Sequence, residues 1–339
     1  MNIFIIEFIN THTNSFQSIN HLMINMKQKD IFLKEKENCN CTFYHIMEGI
    51  KDPALKEIDN LYGAADYLSL KNAERHRKIL LSLSVIGTLI TIAFFLYYEG
   101  EMHHFILLCI ILLVFLFLIH KQANNMECHR KYLEYRVLAE TLRVQFFLSI
   151  AGVKEEVKDI MPWFIKKGIT WIGEILETLH LEDVKERQPI LHFWVMDQKT
   201  YHEEALLKAV NKKKKQDKIT KIAIYITILT YLAALIFEIY MYFCSPMNID
   251  AHLVRISLKI VIGSMSVSTL FLESYYGKMS LSETIADYKR MILLYDKIEH
   301  DIRAKGESEE IILYLAKEFL TENSTWYAYQ SKNKAELVF

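Results

Sequence analysis

Glycine and proline are scarce, ten and four in 339 residues. So few breakers over such a length argue against an all-β fold, a loop-rich scaffold and a glycine-dependent nucleotide site. Charge of one sign is also missing. The 40 Lys and Arg residues face 41 Asp and Glu residues, which gives no reason to expect nucleic acid as a partner. Cysteine pairs are absent too. Cys39, Cys41, Cys109, Cys128 and Cys244 include no CxxC, and the lone Cys39-Asn40-Cys41 has no second pair to complete a zinc site. Reduced thiols, no metal and no cofactor are the expectation. The start MNIFIIEFIN lacks a basic segment before its apolar run, so no secretory signal is read there. The chain contains no HExxH, no histidine boxes, no GxSxG and no P-loop. His103-His104 reads as interfacial, and His202-Glu203-Glu204 lacks a second histidine at ligand spacing. The expectation is therefore that the protein is not an enzyme.

What is present is apolar surface concentrated in a few places. The chain is 52% apolar and 24% charged, with a mean hydropathy of +0.10. Four stretches carry the excess: Ile79 to Tyr98, Phe105 to Ile119, Ile222 to Cys244 and His252 to Tyr276. A helix needs about 20 apolar residues to cross a hydrocarbon core of about 30 Å. The first and third stretches meet that. The second is short, with His103, His104 and His120 at its ends. The fourth is the weakest, because it contains Arg255, Lys259 and Glu273.

The connections Glu99 to His103 and Ser245 to Ala251 are short and lack Lys and Arg. The opposite flanks are basic: Lys71, Arg75, Arg77 and Lys78; Lys121, Arg130 and Lys131; Lys208, Lys212 to Lys215, Lys218 and Lys221; Lys278, Lys289 and Arg290. The positive-inside rule then sets both hairpin tips outside and both termini in the cytoplasm. The lysine block reads as a patch that attracts anionic lipid. The fold expected is all-α: an integral membrane protein with four transmembrane helices in two hairpins and a cytoplasmic helical domain.

The expected division is a short cytoplasmic head over 1–70, hairpin one over 71–120, a cytoplasmic helical domain over 121–218, hairpin two over 219–276 and C-terminal helices over 277–339. Pro53 and Gly63 read as breaks in the head, followed by a polar-faced helix from Asn60 to Arg77. A central helix carries Tyr132, Tyr135, Ala139, Leu142 and Phe146 at heptad-like spacing and stops at Gly152. A second helix is expected from Pro162 to His180, and a third from Pro189 through the lysine block into the third span. Ile285, Tyr288, Ile292, Tyr295, Ile298 and Ile302 stripe one C-terminal helix; Ile311, Leu315 and Phe319 mark another. The tail from Glu322 is expected to pack only at its start.

Three groups are candidate sites. With a turn near Met247, Glu238 falls within a helical turn of Arg255 and Lys259. Embedded charges are costly unless paired or wetted, so these three form either a structural ion pair or part of a pore lining. Gly263, Ser264 and Ser268 permit close helix packing in the fourth span. Arg136, Glu140 and Arg143, at spacings of four and three, make a ladder on one helix face. That ladder either packs helices or binds a phosphate-bearing ligand through its arginines.

The order Tyr135-Arg136-Val-Leu-Ala139-Glu140-Thr-Leu-Arg143, Ala151-Gly152, Trp171, Phe193-Trp194-Val-Met-Asp197-Gln198-Lys-Thr-Tyr201 and Leu315-Ala316-Lys-Glu318-Phe-Leu-Thr-Glu322-Asn323-Ser-Thr-Trp326 resembles bacterial modules called SLATT, for SMODS- and SLOG-associating transmembrane effector domains. Ala65-Asp66 before the first span is similar to their entry helix. The resemblance covers residues 60 to 330. It implies an inner-membrane effector of an anti-phage or self-destruct system that permeabilises the membrane when its cytoplasmic part is triggered. It also implies a separate sensor protein or a nucleotide-derived signal, because only some 70 residues precede the first span where a fused sensing domain is expected. A homo-oligomer in the lipid bilayer is expected. The alternatives are a non-conducting scaffold or receptor and a membrane enzyme without a recognisable motif.

Overall fold

The computed structural model describes residues 27–39, 45–181, 184–244 and 250–332. The opening MNIFIIEFI run, Cys41, the turn at Met247 and the last seven residues lie outside the described part. Among the described residues the fold is all-α. Its helices are α1 (27–37), α2 (Pro53–Tyr98), α3 (Phe105–Met126), α4 (Cys128–Ala151), α5 (Val157–Ile160), α6 (Trp163–Gly168), α7 (Thr170–Leu176), α8 (Asp197–Cys244), α9 (Ala251–Lys278), α10 (Leu281–Lys305) and α11 (Glu309–Gln330). A π-helical turn, Leu191–Met196, leads into α8. Four helices are long and apolar enough to cross a membrane, which makes this a multi-pass membrane protein.

The contacts divide the chain into two units. The first holds the described residues up to Asn72 together with Arg130–Thr200 and Leu293–Lys332; the second holds Ala73–His129 and Tyr201–Ile292.

In the first unit α4 is the core. From Val137 to Ile150 every residue of it is buried, on all faces, so the heptad reading of one apolar stripe was too narrow. Phe32 of α1 packs against both Tyr135 and Trp171 with tilted rings, at 5.4 and 5.8 Å between centroids. Phe147 lies flat on Trp194 at 4.8 Å, and Tyr132 meets the edge of Trp326 at 5.6 Å. That last contact explains why α11 continues to Gln330 and buries Asn323 and Ser324. The tail packs further than the sequence suggested. Gly152, at φ 75°, ends α4 as its residue type predicts. Gln145 Oε1 accepts the Val157 amide at 2.8 Å and fixes the chain beyond the turn.

Two expected breaks behave differently. Pro53 opens α2 with Asp52 before it: the Asp52 main-chain carbonyl accepts from Lys56, and its side chain accepts from the Ala54 amide at 3.0 Å. Gly63 lies inside α2. Its helix cost of about 1 kcal/mol is outweighed where Leu61, Ala64 and Ala65 are buried around it. The helix expected from Pro162 to His180 is two short ones, broken at Ile169, with Pro162 just before the first. Trp163 then faces outward at 77% exposure, while Trp171 is fully buried.

Asp52 also accepts the Lys185 amide at 2.8 Å. Burial works to raise its carboxyl, but the amides of Lys185, Ala54, Leu55 and Glu186 hold it below the usual 3.8. A carboxyl depressed by folding stabilises the fold above its unfolded value and loses that contribution as pH falls through the folded one. Asp52→Asn is therefore expected to lower the melting temperature at pH 7. Near pH 3 the difference from wild type narrows. Thermal melts of the detergent-solubilised protein at both pH values check this.

The second unit contains the four spans. Cys109 Sγ lies 4.0 Å from the Ile90 carbonyl, pairing α3 with α2. A Cβ on Gly87 would meet the Phe271 ring, one on Gly263 would meet the Phe95 ring, and Lys259 Nζ reaches Glu99 Oε2 at 3.0 Å. Each step forward along α2 is thus matched by an equal step back along α9, which makes them an antiparallel pair. Thr227 meets Thr269 at 3.4 Å and Tyr231 meets Ser266 at 3.3 Å, pairing α8 with α9 the same way. On the apolar stretch of α8 from Ile222 onward the partly covered residues are Ala223, Thr227, Thr230, Ala234, Phe237 and Met241. This stripe alternates steps of four and three, the period of a helix seam. Most other apolar residues of α3 and of this stretch of α8 face outward, as lipid-facing helices require, while Cys109 and Leu116 of α3 are buried.

Candidate functional site

These registers set the level of every charge on the spans. Counting from Ile90 and Cys109, Lys78 and Lys121 fall at one level. Counting from Thr227 and Thr269, Lys218 and Lys278 fall at one level, and Gly87 with Phe271 ties the two levels together to within about 3 Å. Four helices therefore carry a lysine at the same end. At the other end Glu99, Lys259 and Glu238 share a level, and Arg255 lies one turn further along α9. Between the two ends Ile79–Tyr98 rises about 30 Å, one hydrocarbon thickness.

The structure brings Glu238 to Arg255, not to Lys259. The contact is a two-pronged ion pair, Nε to Oε1 at 2.8 Å and Nη2 to Oε2 at 2.7 Å. Such a fork is the strong geometry for an arginine and a carboxylate. Lys259 instead takes Glu99, from the tip of the other hairpin. Glu99 was not singled out in the sequence, though an acidic tip without cations was a signal that a cation elsewhere would seek it. The part of α9 level with the first span begins near Ile260, so the charges that weakened the fourth stretch lie at its end.

Gly263 admits the Phe95 ring into the space where a Cβ would stand. Ser268 donates its hydroxyl to the Ser264 carbonyl at 2.6 Å. The Ser264 hydroxyl is buried without a hydrogen-bond partner. Gly263 is the close-approach position. Ser264 and Ser268 keep α9 slim rather than bonding it to α8.

The ladder on α4 forms as spaced. Arg136 Nη2 meets Glu140 Oε1 at 2.5 Å, and Arg143 pairs with Glu140 from the other side. The sequence did not reveal the fourth member. Asp66, from α2, accepts from Arg136 Nη1 at 2.8 Å. Two carboxylates thus balance two guanidiniums. Phe319 of α11 lies 5.0 Å over the Arg143 guanidinium. Burial works against the charge on Arg143, but the adjoining Glu140 carboxylate holds its pKa above the usual value. Burial also pushes the Tyr62 phenol up to about 12. Both stay in their ordinary charge states, so the cluster is a fixed ionic tie among α2, α4 and α11. A phosphate ligand would have to displace Glu140 or Asp66 from these arginines.

Among the described residues no group of three His, Cys, Asp or Glu side chains is placed to hold a metal. Comparison with family models, with curated proteins and with solved structures finds no match.

Proposed function

We propose that the protein is a bacterial inner-membrane effector that depolarises or permeabilises the membrane when triggered. It acts as a homo-oligomer with its lysine ends and both termini in the cytoplasm. The observation that carries this reading is the state of α9. It is the polar span, rich in small and hydroxylated residues, yet its ion pairs and several of its hydroxyls are engaged with α8 and with the tip of hairpin one. A polar helix engaged in this way is a sealed state, and Glu99–Lys259 is the tie that holds α9 against hairpin one at the outer surface. Opening requires a second state that the trigger binds more tightly. The resemblance to SLATT modules supports the effector role and a signal delivered by a separate sensor or a nucleotide-derived molecule. No catalytic step is assigned.

The test is membrane potential, read with a voltage-sensitive dye in bacteria carrying the chain with its native neighbours. Depolarisation is expected only under phage challenge for the wild type. Glu99→Gln and Lys259→Ala are expected to depolarise without challenge, by loss of the tie. If the inserted wild type and both variants hold their potential under challenge, the protein is a non-conducting scaffold instead.

A further inference from the structure

Once the registers remove Arg255, Lys259 and Glu238 to the outer level, the spans hold few charges. Lys221 lies about 5 Å past the Lys218 level, near enough for its long stem to reach that boundary. Glu273 lies about 8 Å inward of Lys278 and about 21 Å from Lys259 along α9. A glutamate stem is too short to return its carboxylate to either surface. Glu273 is exposed and makes no ion pair or hydrogen bond with another described residue. An ionised group at such depth persists where water, a counter-ion or a partner reaches it.

Its position on α9 says what surrounds it. Ser266, Thr269 and Glu273 recur at steps of three and four and so share one face. Ser266 and Thr269 meet Tyr231 and Thr227 of α8. The α8–α9 seam is thus lined in turn by a phenol, three aliphatic hydroxyls and a carboxylate over the half nearer the lysine end. Beyond Tyr231 the seam turns apolar where Ala234 and Ile262 share a level. It is closed at the outer end by the Glu238–Arg255 fork.

We propose that Glu273 is a binding site for a monovalent cation, at the lysine end of a path along the α8–α9 seam, and that it gives the path its preference for cations. The inference rests on the effector reading above. The hydroxyls of Thr227, Thr269, Tyr231 and Ser266 supply oxygen ligands inward of the carboxylate. The apolar section at Ala234 and Ile262 closes the path until α9 moves.

Two measurements on the full chain test this. The first is reversal potential in vesicles under a KCl gradient, using wild type and the tie-broken Lys259→Ala chain. The Lys259→Ala chain is expected to prefer K+ over Cl−. Adding Glu273→Gln is expected to cut that preference about tenfold, and adding Glu273→Lys to invert it. Current with unchanged selectivity in the Glu273→Gln chain overturns the inference and leaves the effector reading standing. No current from either parent overturns both. The second is labelling of wild-type membranes with dicyclohexylcarbodiimide, which modifies carboxyls in the apolar phase. Mass spectrometry should find Glu273 labelled, less so as KCl is raised. Absent labelling, or labelling indifferent to KCl, overturns the site whatever the currents show.

Discussion

Glu140→Ala is expected to cost about 3–5 kcal/mol, because it leaves the Arg136 and Arg143 guanidiniums without their shared carboxylate. Arg143 is the more damaging of the two, being buried with its Nε already lacking a hydrogen-bond partner. A loss of that size removes much of the stability of an ordinary domain. The variant should therefore express poorly, or melt well below wild type in the same detergent. Removing both charges together is a different experiment. Glu140→Leu with Arg143→Leu replaces a buried ion pair by apolar volume and is expected to recover most of the loss. Should Glu140→Ala alone melt within about 2 °C of wild type, the cluster is not the tie described above.

Gly263→Leu is the second large effect. In lipid, helices are held by close packing rather than by the hydrophobic effect, so a small residue at a crossing is worth what its neighbour gains by approaching. At Gly263 the neighbour is the Phe95 ring, which occupies the space a side chain would need. Overfilling a packed contact costs about 1–3 kcal/mol, and a branched side chain belongs at the upper end. The expected result is a less stable second unit and a weaker Glu99–Lys259 contact. It is read as reduced disulfide formation between Glu99→Cys and Lys259→Cys in the same chain. Phe95→Ala should restore both stability and cross-linking, because it returns the volume that the introduced leucine takes. If Gly263→Leu cross-links as well as its parent, α2 and α9 do not meet as the register requires.

The sequence made the local part of this molecule legible. Long apolar runs, acidic tips and basic flanks identify four spans, because each is a property of contiguous residues. Gly152 as a helix stop and the Arg136–Glu140–Arg143 spacing are local in the same sense. What composition hides is register. Hydropathy averaged along α9 counts Arg255 and Lys259 as part of a span, whereas pairing with α2 moves them to its end and leaves Glu273 inside. Asp66, 70 residues from Arg136, has no mark of its own until α2 and α4 are packed. Gly63 and Gly168 behave in opposite ways: burial around Gly63 overrides a weak helix former, while Gly168 is exposed and the helix stops there, with Ile169 buried just beyond it.

The common level of Lys78, Lys121, Lys218 and Lys278 bears on the lipid as much as on the protein. At this end each of the four helices is tied to water by a lysine, and the distance to the charges at the opposite end, Glu99, Glu238 and Lys259, is set by hydrogen-bonded helix rather than by flexible side chains. The unit is therefore a rigid spacer of about 30 Å. A bilayer thicker or thinner than that must deform around it, or the helices must tilt, and either carries an energy that grows with the mismatch. Acyl-chain length thereby bears on any tilting of α9, and under the effector reading proposed above it acts on the same equilibrium as the trigger.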